Sequence, residues 1–331
     1  MPVYPSQEFL FQRIKELLPA HASLVDTVAE VLHLSTDSAY RRIRGETPLV
    51  LDEARSLCVH FRLSLDQLLE VQNNSVMFRH TRINAVTYNY EQFLEGLQQQ
   101  LQFIGGCKYK EIIYCSKDMP IFHNFYFTPL IAFRYFFWMK TIIQDPGFTD
   151  KEFTIDCLPP EIESLSRELT RAYAKLPSTE IWNTECINAI ISQIEFYRDS
   201  GHFASAKEIK LVYDSLEETL VHLKNQVEFA SKYLPDETPD NRKKNYKFYY
   251  NRVVLGDNII LVTMDQTKSV FLNYDALNYL TTNDELFCGS CYNDLQNLMK
   301  KGSIISGTSE KQRNIFFGIL QGKIADRKRH L

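Results

Sequence analysis

The pattern of apolar residues predicts a mainly α chain. Five short helices make an N-terminal domain over residues 1–72, and an α+β C-terminal domain over 81–331 joins further helices to a small antiparallel sheet. Three observations lead there. Apolar residues recur at helical spacing in short, separately capped runs as far as Leu69. From Pro160 to Tyr233 the period stays helical, broken only at Pro177 and at Ser200-Gly201. After Asn245 it changes to short β-rich runs separated by turn residues, Gly256-Asp257-Asn258 and Asp265-Gln266-Thr267-Lys268.

In the N-terminal domain, Phe9 to Leu18 reads as a first helix. Leu24, Val28, Val31 and Leu32 give a second, which a three-residue turn, His33-Leu34-Ser35, joins to a third. Ser35 is a good N-cap for the third helix, because its hydroxyl can accept from an orphan N–H of the first turn. Gly45 can take the left-handed conformation that stops it. At 100° per residue, Ala39 and Ile43 share the apolar side. Asp37, Ser38, Arg41 and Arg44 then lie opposite, with Tyr40 and Arg42 on the flanks. A short turn between two helices, the second with a small-polar start and a basic face, is helix-turn-helix patterning. Downstream, Leu51, Ala54, Leu57, Cys58 and Phe61 form a fourth apolar stripe, and Ser64 caps a short fifth helix ending at Leu68-Leu69.

Here the chain resembles the lambda-repressor-like helix-turn-helix domains, and within them transcriptional regulators common in Bacteroidetes. The resemblance rests on Ala29, on Leu34-Ser35, on Ala39-Tyr40-Arg41-Arg42-Ile43-Arg44-Gly45-Glu46, on Pro48-Leu49, and on Ala54, Leu57, Cys58 and Phe61 to Leu65. Val25-Asp26 stands where many relatives carry a phosphate-clamping glutamine, and His33 where they carry a turn glycine. The segments Phe125 to Trp138, Asn258 to Val262 and Ser306 to Phe317 look like such regulators as well. The resemblance implies regulation and assigns no effector and no catalytic residue.

Val71 to Ser75 reads as a polar linker, and the second domain begins near Thr81. There the patterns predict a helix over Tyr90 to Phe103, a buried strand over Tyr109 to Cys115, and a helix from Leu130 to Ile143, capped by Thr128 and apolar on nearly every side. Helices are expected at Ile162 to Leu176, Ser178 to Arg198 and Ala204 to Tyr233. The last carries Ile209, Val212, Leu216, Leu220, Leu223 and Val227 close to a heptad seam. That seam is a candidate dimer surface, with packing inside the same subunit as the competing reading. A meander of three strands (Phe248 to Leu255, Ile259 to Met264, Ser269 to Asn273) precedes helices at Tyr274 to Leu280 and Asn283 to Met299. A strand at Ser303 to Ser306 and a helix at Ser309 to Ile324 follow, Ser309 and Gln312 forming a capping box.

Composition narrows the function classes. With 44% apolar and 13% aromatic content, 331 residues can fill two cores. No N-terminal signal segment is visible, and the apolar run Phe125 to Met139 is broken by Pro129 and Arg134, so a cytoplasmic protein without a membrane span is expected. Seven scattered cysteines suit a reducing compartment. The net charge is −4, and the first 80 residues hold eight Lys/Arg against ten Asp/Glu, so binding to phosphates must come from the local patch at Arg41, Arg42 and Arg44.

Chemical motifs are weak. Cys288-Gly289-Ser290-Cys291 has metal-ligand spacing but no second pair, and it sits inside an expected helix, so two inert thiols are expected and no metal. His222-Leu223-Lys224 is similar to the His-x-Lys half of phospholipase-D-type sites, but Phe229 stands where the completing aspartate would be, so that chemistry is not supported. There is no nucleophile elbow, phosphate loop or His-Glu-x-x-His. The aromatic group from Phe122 to Trp138 reads as core, with a pocket for an apolar effector as the second reading. Arg134 resists the first, because a charge on an apolar helix is buried only with a partner.

The expectation is therefore a non-enzymatic, sequence-specific DNA-binding regulator that uses no cofactor. Its partners are double-stranded DNA and a second copy of itself, with an effector of unknown identity possible at the C-terminal domain. Arg41 is placed to read a base edge, Asp37 to accept from cytosine, and Thr36 and Ser38 to reach a phosphate or base. Arg42 and Arg44 are expected on phosphates, with Tyr40 between core and groove. An interaction adaptor with a degenerate helix-turn-helix, or an enzyme of unrecognised type in the second domain, stay open from sequence.

Overall fold

The computed structural model describes residues 5–19, 22–61, 63, 65, 76–80, 89–240, 244–252, 256–274 and 278–329. The chain divides into two compact units, Met1–Ser75 and Val76–Leu331.

In the first unit the described helices are α1 (Pro5–Leu17), α2 (Leu24–Leu32), α3 (Thr36–Ile43) and α4 (Leu51–Phe61). The expected fifth helix and the linker at Val71 to Ser75 lie outside the described residues. Leu10, Phe11 and Ile14 of α1, Val28 and Ala29 of α2, Ala39 of α3, and Leu57 and Cys58 of α4 close one small core. Each helix thus contributes an apolar stripe, α3 the narrowest, although Leu51, expected in the stripe of α4, is exposed at the start of that helix.

The second unit is built on an eight-stranded sheet of order β1-β7-β6-β5-β2-β3-β4-β8. The strands are β1 (Arg79–His80), β2 (Lys110–Ser116), β3 (Ser178–Trp182), β4 (Tyr246–Tyr250), β5 (Ile259–Met264), β6 (Thr267–Asn273), β7 (Tyr279–Thr282) and β8 (Ser303–Ile304). The predicted α+β layout holds, but the expected three-strand meander does not: its last two strands pair as β5 and β6 and continue into β7, whereas its first, β4, lies beyond β2 and β3, paired in parallel with β3 and antiparallel with β8. β2, β3 and β4 run parallel, joined by helical crossovers, and every other pairing is antiparallel.

The period of two along the strands sends residues to opposite faces. Ile112, Tyr114, Trp182, Phe248 and Val262 join the main core under α5 (Tyr90–Gly106), α6 (Thr128–Phe137), α7 (Pro160–Lys175), α8 (Asn188–Asp199) and α9 (Ala206–Phe229). Ile113, Cys115, Ile181, Leu261 and Val270 face the other way, against Cys288, Leu295 and Met299 of α10 (Glu285–Lys301). The last helix, α11 (Glu310–Lys328), packs on α9 and adds Phe316, Phe317, Leu320 and Ile324 to the main core.

Four further expectations are corrected. The single helix over Ser178 to Arg198 is β3 followed by α8, because Ser178–Trp182 inserts between two parallel strands and is buried at every position. The helix over Tyr274 to Leu280 gives way to β7, which starts at Tyr279 and pairs with β6. Ser309 is the N-cap of α11 but makes no side-chain capping bond. The seam of α9 is not a free surface: Val212, Leu216, Leu220, Leu223 and Val227 are all fully buried inside their own subunit.

The aromatic group packs as core. Phe122, Phe125, Tyr126, Phe133, Tyr135, Phe136, Phe137 and Trp138 are buried, with Phe133 against Phe153, Tyr197 and Phe203. Cys288 is buried, its thiol directed at the carbonyls of Lys268 and Thr282, and burial pushes the Cys291 thiol up to about 11. Among the described residues no helix is long and apolar enough to cross a membrane.

Candidate nucleic-acid interface

The local chemistry of α3 sets both of its ends. Ser35 is extended at φ −69°, and its Oγ accepts from the Ser38 N–H at 3.3 Å while its hydroxyl donates to Ser38 Oγ at 3.0 Å. Gly45 stands at φ +71°, where a Cβ would be strained. The turn before α3 is held by His33 at φ 54°, whose N–H reaches back to Glu30 O while that of Leu34 reaches Ala29 O. His33 thus occupies a left-handed position that glycine takes without steric penalty, at a modest conformational cost.

This frame divides the predicted site residues. Thr36, Asp37, Tyr40, Arg41 and Arg44 are exposed, whereas Ser38 is half-buried and engaged by the cap. Asp37, Tyr40, Arg41 and Arg44 fall at i, i+3, i+4 and i+7, so they form one outward stripe. The Arg44 guanidinium stacks over the Tyr40 ring at 5.5 Å, which places Tyr40 on the outward face rather than at the edge of the core. Arg41 and Arg44 approach the Glu46 carboxylate only loosely, at 3.9 and 3.7 Å, with side chains 57% and 59% exposed. Such surface pairs are worth little, so a phosphate can displace the carboxylate.

Arg42, expected on a phosphate, is committed elsewhere. Its Nε and Nη2 donate to both oxygens of Glu53 at 2.9 and 2.8 Å, its Nη1 donates to Ser38 O, and its side chain is 16% exposed. The hydrogen bond from Arg42, against the opposing effect of burial, holds the Glu53 carboxyl below its ordinary range. Arg42 therefore clamps α3 to α4 and positions the stripe. The pairing was hidden in sequence because Glu53 lies eleven residues away in another helix.

Gln7 was also missed. It is buried on α1, donates from Nε2 to Arg42 O (2.7 Å) and Thr47 O (2.8 Å), and accepts from the Leu49 N–H (2.8 Å). One amide thus satisfies three backbone groups where the chain leaves α3. A lone Gln in an amphipathic helix carries no signal of that role. Gln7→Ala is expected to cost about 1–3 kcal/mol, since it leaves buried backbone groups unpaired. Urea unfolding followed at the N-terminal unit reads this, and a change below about 0.5 kcal/mol would show that water replaces the amide.

The resulting surface is a short, capped helix presenting two arginines, an acid, a tyrosine and a threonine, at the width that enters a major groove. The model of the BetR domain, a helix-turn-helix-like DNA-binding domain family, matches residues 6–87. No curated protein and no solved structure matches the chain.

Proposed function

We propose that this protein is a sequence-specific transcriptional regulator. On this reading its N-terminal unit is a helix-turn-helix of the lambda-repressor type, and its C-terminal unit senses an effector or mediates self-association. The observation that carries the reading is the outward stripe Asp37, Tyr40, Arg41 and Arg44 on a helix capped at both ends and clamped by Arg42–Glu53. Arg41 reads a base edge, Asp37 accepts from a cytosine amine, Thr36 and Ser38 serve as short polar contacts, and Arg44 neutralises a phosphate.

A domain with only two exposed arginines on its recognition helix, both loosely paired with Glu46, gains useful affinity by placing two such helices one turn apart, so the active species on this reading is a homodimer on an inverted repeat. Its interface lies away from the seam of α9, which is consumed by the core.

Selection of bound sequences from random duplexes tests the reading. Arg41→Ala is expected to relax preference at one base pair, at a cost of about 1–3 kcal/mol there. Arg44→Ala is expected to weaken all duplexes and lower the salt slope by about one. Identical effects of the two changes on every sequence would remove the base-reading role of Arg41. Absence of any salt-sensitive duplex binding would favour the adaptor reading, and a complex of one chain per inverted repeat would remove the dimer.

A further inference from the structure

The second unit contains a cavity of about 400 Å³ between the sheet, α6 and α8, in the size range of small-molecule sites. Phe93, Phe137, Trp138, Ile142 and Ile190 supply an apolar wall. Part of that wall is a widened π turn, Trp138–Ile142, which continues α6; such turns are frequent at functional sites.

Three charged side chains line this space: Asp257, which is paired with Lys117 at 2.7 Å, and Arg134 and Asp118, which are in no ion pair among the described residues. Arg134 rises from the otherwise apolar α6, and its Nη1 donates to Gln193 Oε1. Its Nε is buried without a hydrogen-bond partner, and no carboxylate of a described residue forms an ion pair with it. Asp118 lines the same cavity beside Asn258 and is in ion-pair contact with no described cation; the adjacent Lys117 is turned to Asp257 at 2.7 Å, and Lys117 and Arg134 act on Asp118 only as nearby charges. Burial pushes the Arg134 guanidinium below its ordinary range and the Asp118 carboxyl above its own. Arg134 and Asp118 thus face one cavity of mixed lining, near enough to feel each other's charge but not in ion-pair contact, and the buried Arg134 Nε still has a hydrogen bond to give.

A simple anion on Arg134 would confront Asp118, and a simple amine on Asp118 would confront Arg134. A ligand bearing both charges satisfies both. We infer that this cavity binds an amino acid with an apolar side chain, its carboxylate on Arg134, its ammonium on Asp118 and its side chain against Phe93 and Trp138. This names the ligand class of the sensing role proposed above. It rests on that reading only for its consequence at DNA, and it stands or falls on binding measured without DNA.

Titration calorimetry and ligand-induced thermal shift on the full chain test it, with phenylalanine, leucine, methionine and tryptophan as probes. At least one of them is expected to bind and raise the melting temperature. Its amide, which lacks the carboxylate, and the matching des-amino acid, which lacks the ammonium, are each expected to bind at least tenfold more weakly. Arg134→Gln should abolish binding. Should that variant fail to fold, Asp118→Asn, which keeps shape, should erase the preference for the amino acid over its des-amino analogue. Ala189→Phe, which fills the cavity from α8 without touching either charge, should melt cooperatively and bind nothing. Absence of binding by all four probes overturns the proposal. So does equal binding of the amide, an unchanged preference in Asp118→Asn, or full binding by Ala189→Phe.

Discussion

Glu180→Gln is expected to destabilise the second unit by about 3–5 kcal/mol, the scale for breaking a buried charge pair, and so to remove a large part of a typical domain's stability. Glu180 lies on β3 with no exposed surface, and four donor contacts reach its carboxylate. His123 Nε2 is 3.0 Å from both oxygens, the Tyr173 hydroxyl donates at 2.6 Å and the Trp182 indole N–H at 2.9 Å. Burial works to raise its pKa, but the His123 charge and these hydrogen bonds outweigh it and hold the carboxyl below its ordinary range. An amide at this position presents N–H groups to other N–H and O–H donors, so contacts turn repulsive where the carboxylate accepted.

The same network gives stability a pH dependence of definite sign. Burial pushes Lys232 down to about 7, Glu180 opposing it; its Nζ donates to Tyr173 O and lies 3.7 Å above the Tyr173 ring. Burial likewise pushes His222 down to about 4. Both groups bind protons more tightly in the unfolded chain, where they titrate at roughly 10.4 and 6.5. Stability from His222 is therefore lost as pH falls from 6.5 towards 4, and stability continues to rise with pH above 7 through Lys232. Denaturant midpoints across pH 4 to 9 measure this, and Lys232→Met is expected to flatten the alkaline limb. A loss for Glu180→Gln of less than about 1 kcal/mol would mean that the site is not ionised in the folded protein.

Leu220→Glu is expected to prevent the second unit from folding. Leu220 has no exposed surface on the face of α9 that packs against the main core. Removing a buried leucine costs about 2–5 kcal/mol, and an unpaired carboxylate in its place adds several more. Near-UV circular dichroism and amide exchange over α9 and α11 read the outcome. A folded variant that is merely monomeric would return α9 to the role of dimer surface.

Local chemistry made the N-terminal unit readable. A serine cap, a glycine stop and a stripe every third or fourth residue act within a few positions, so the helices of the helix-turn-helix and the outward set Asp37, Arg41 and Arg44 are legible without a partner in view. The buried stripe of α9 was legible as a stripe too, yet periodicity records only that a face is covered and says nothing about which chain covers it. Central strands are the harder case. Ser178–Trp182 is buried on both sides, so it lost the alternation that marks a strand, and only its parallel neighbours β2 and β4 decide its state. Contacts made at long range were decided by tertiary structure alone. Arg42 was drawn from phosphate duty to Glu53, Gln7 was set under the exit of α3, and Glu180 received His123 from 57 residues away beside its nearer donors Tyr173 and Trp182. A residue's type sets what it can bond, and the packing of distant segments sets which partner is within reach.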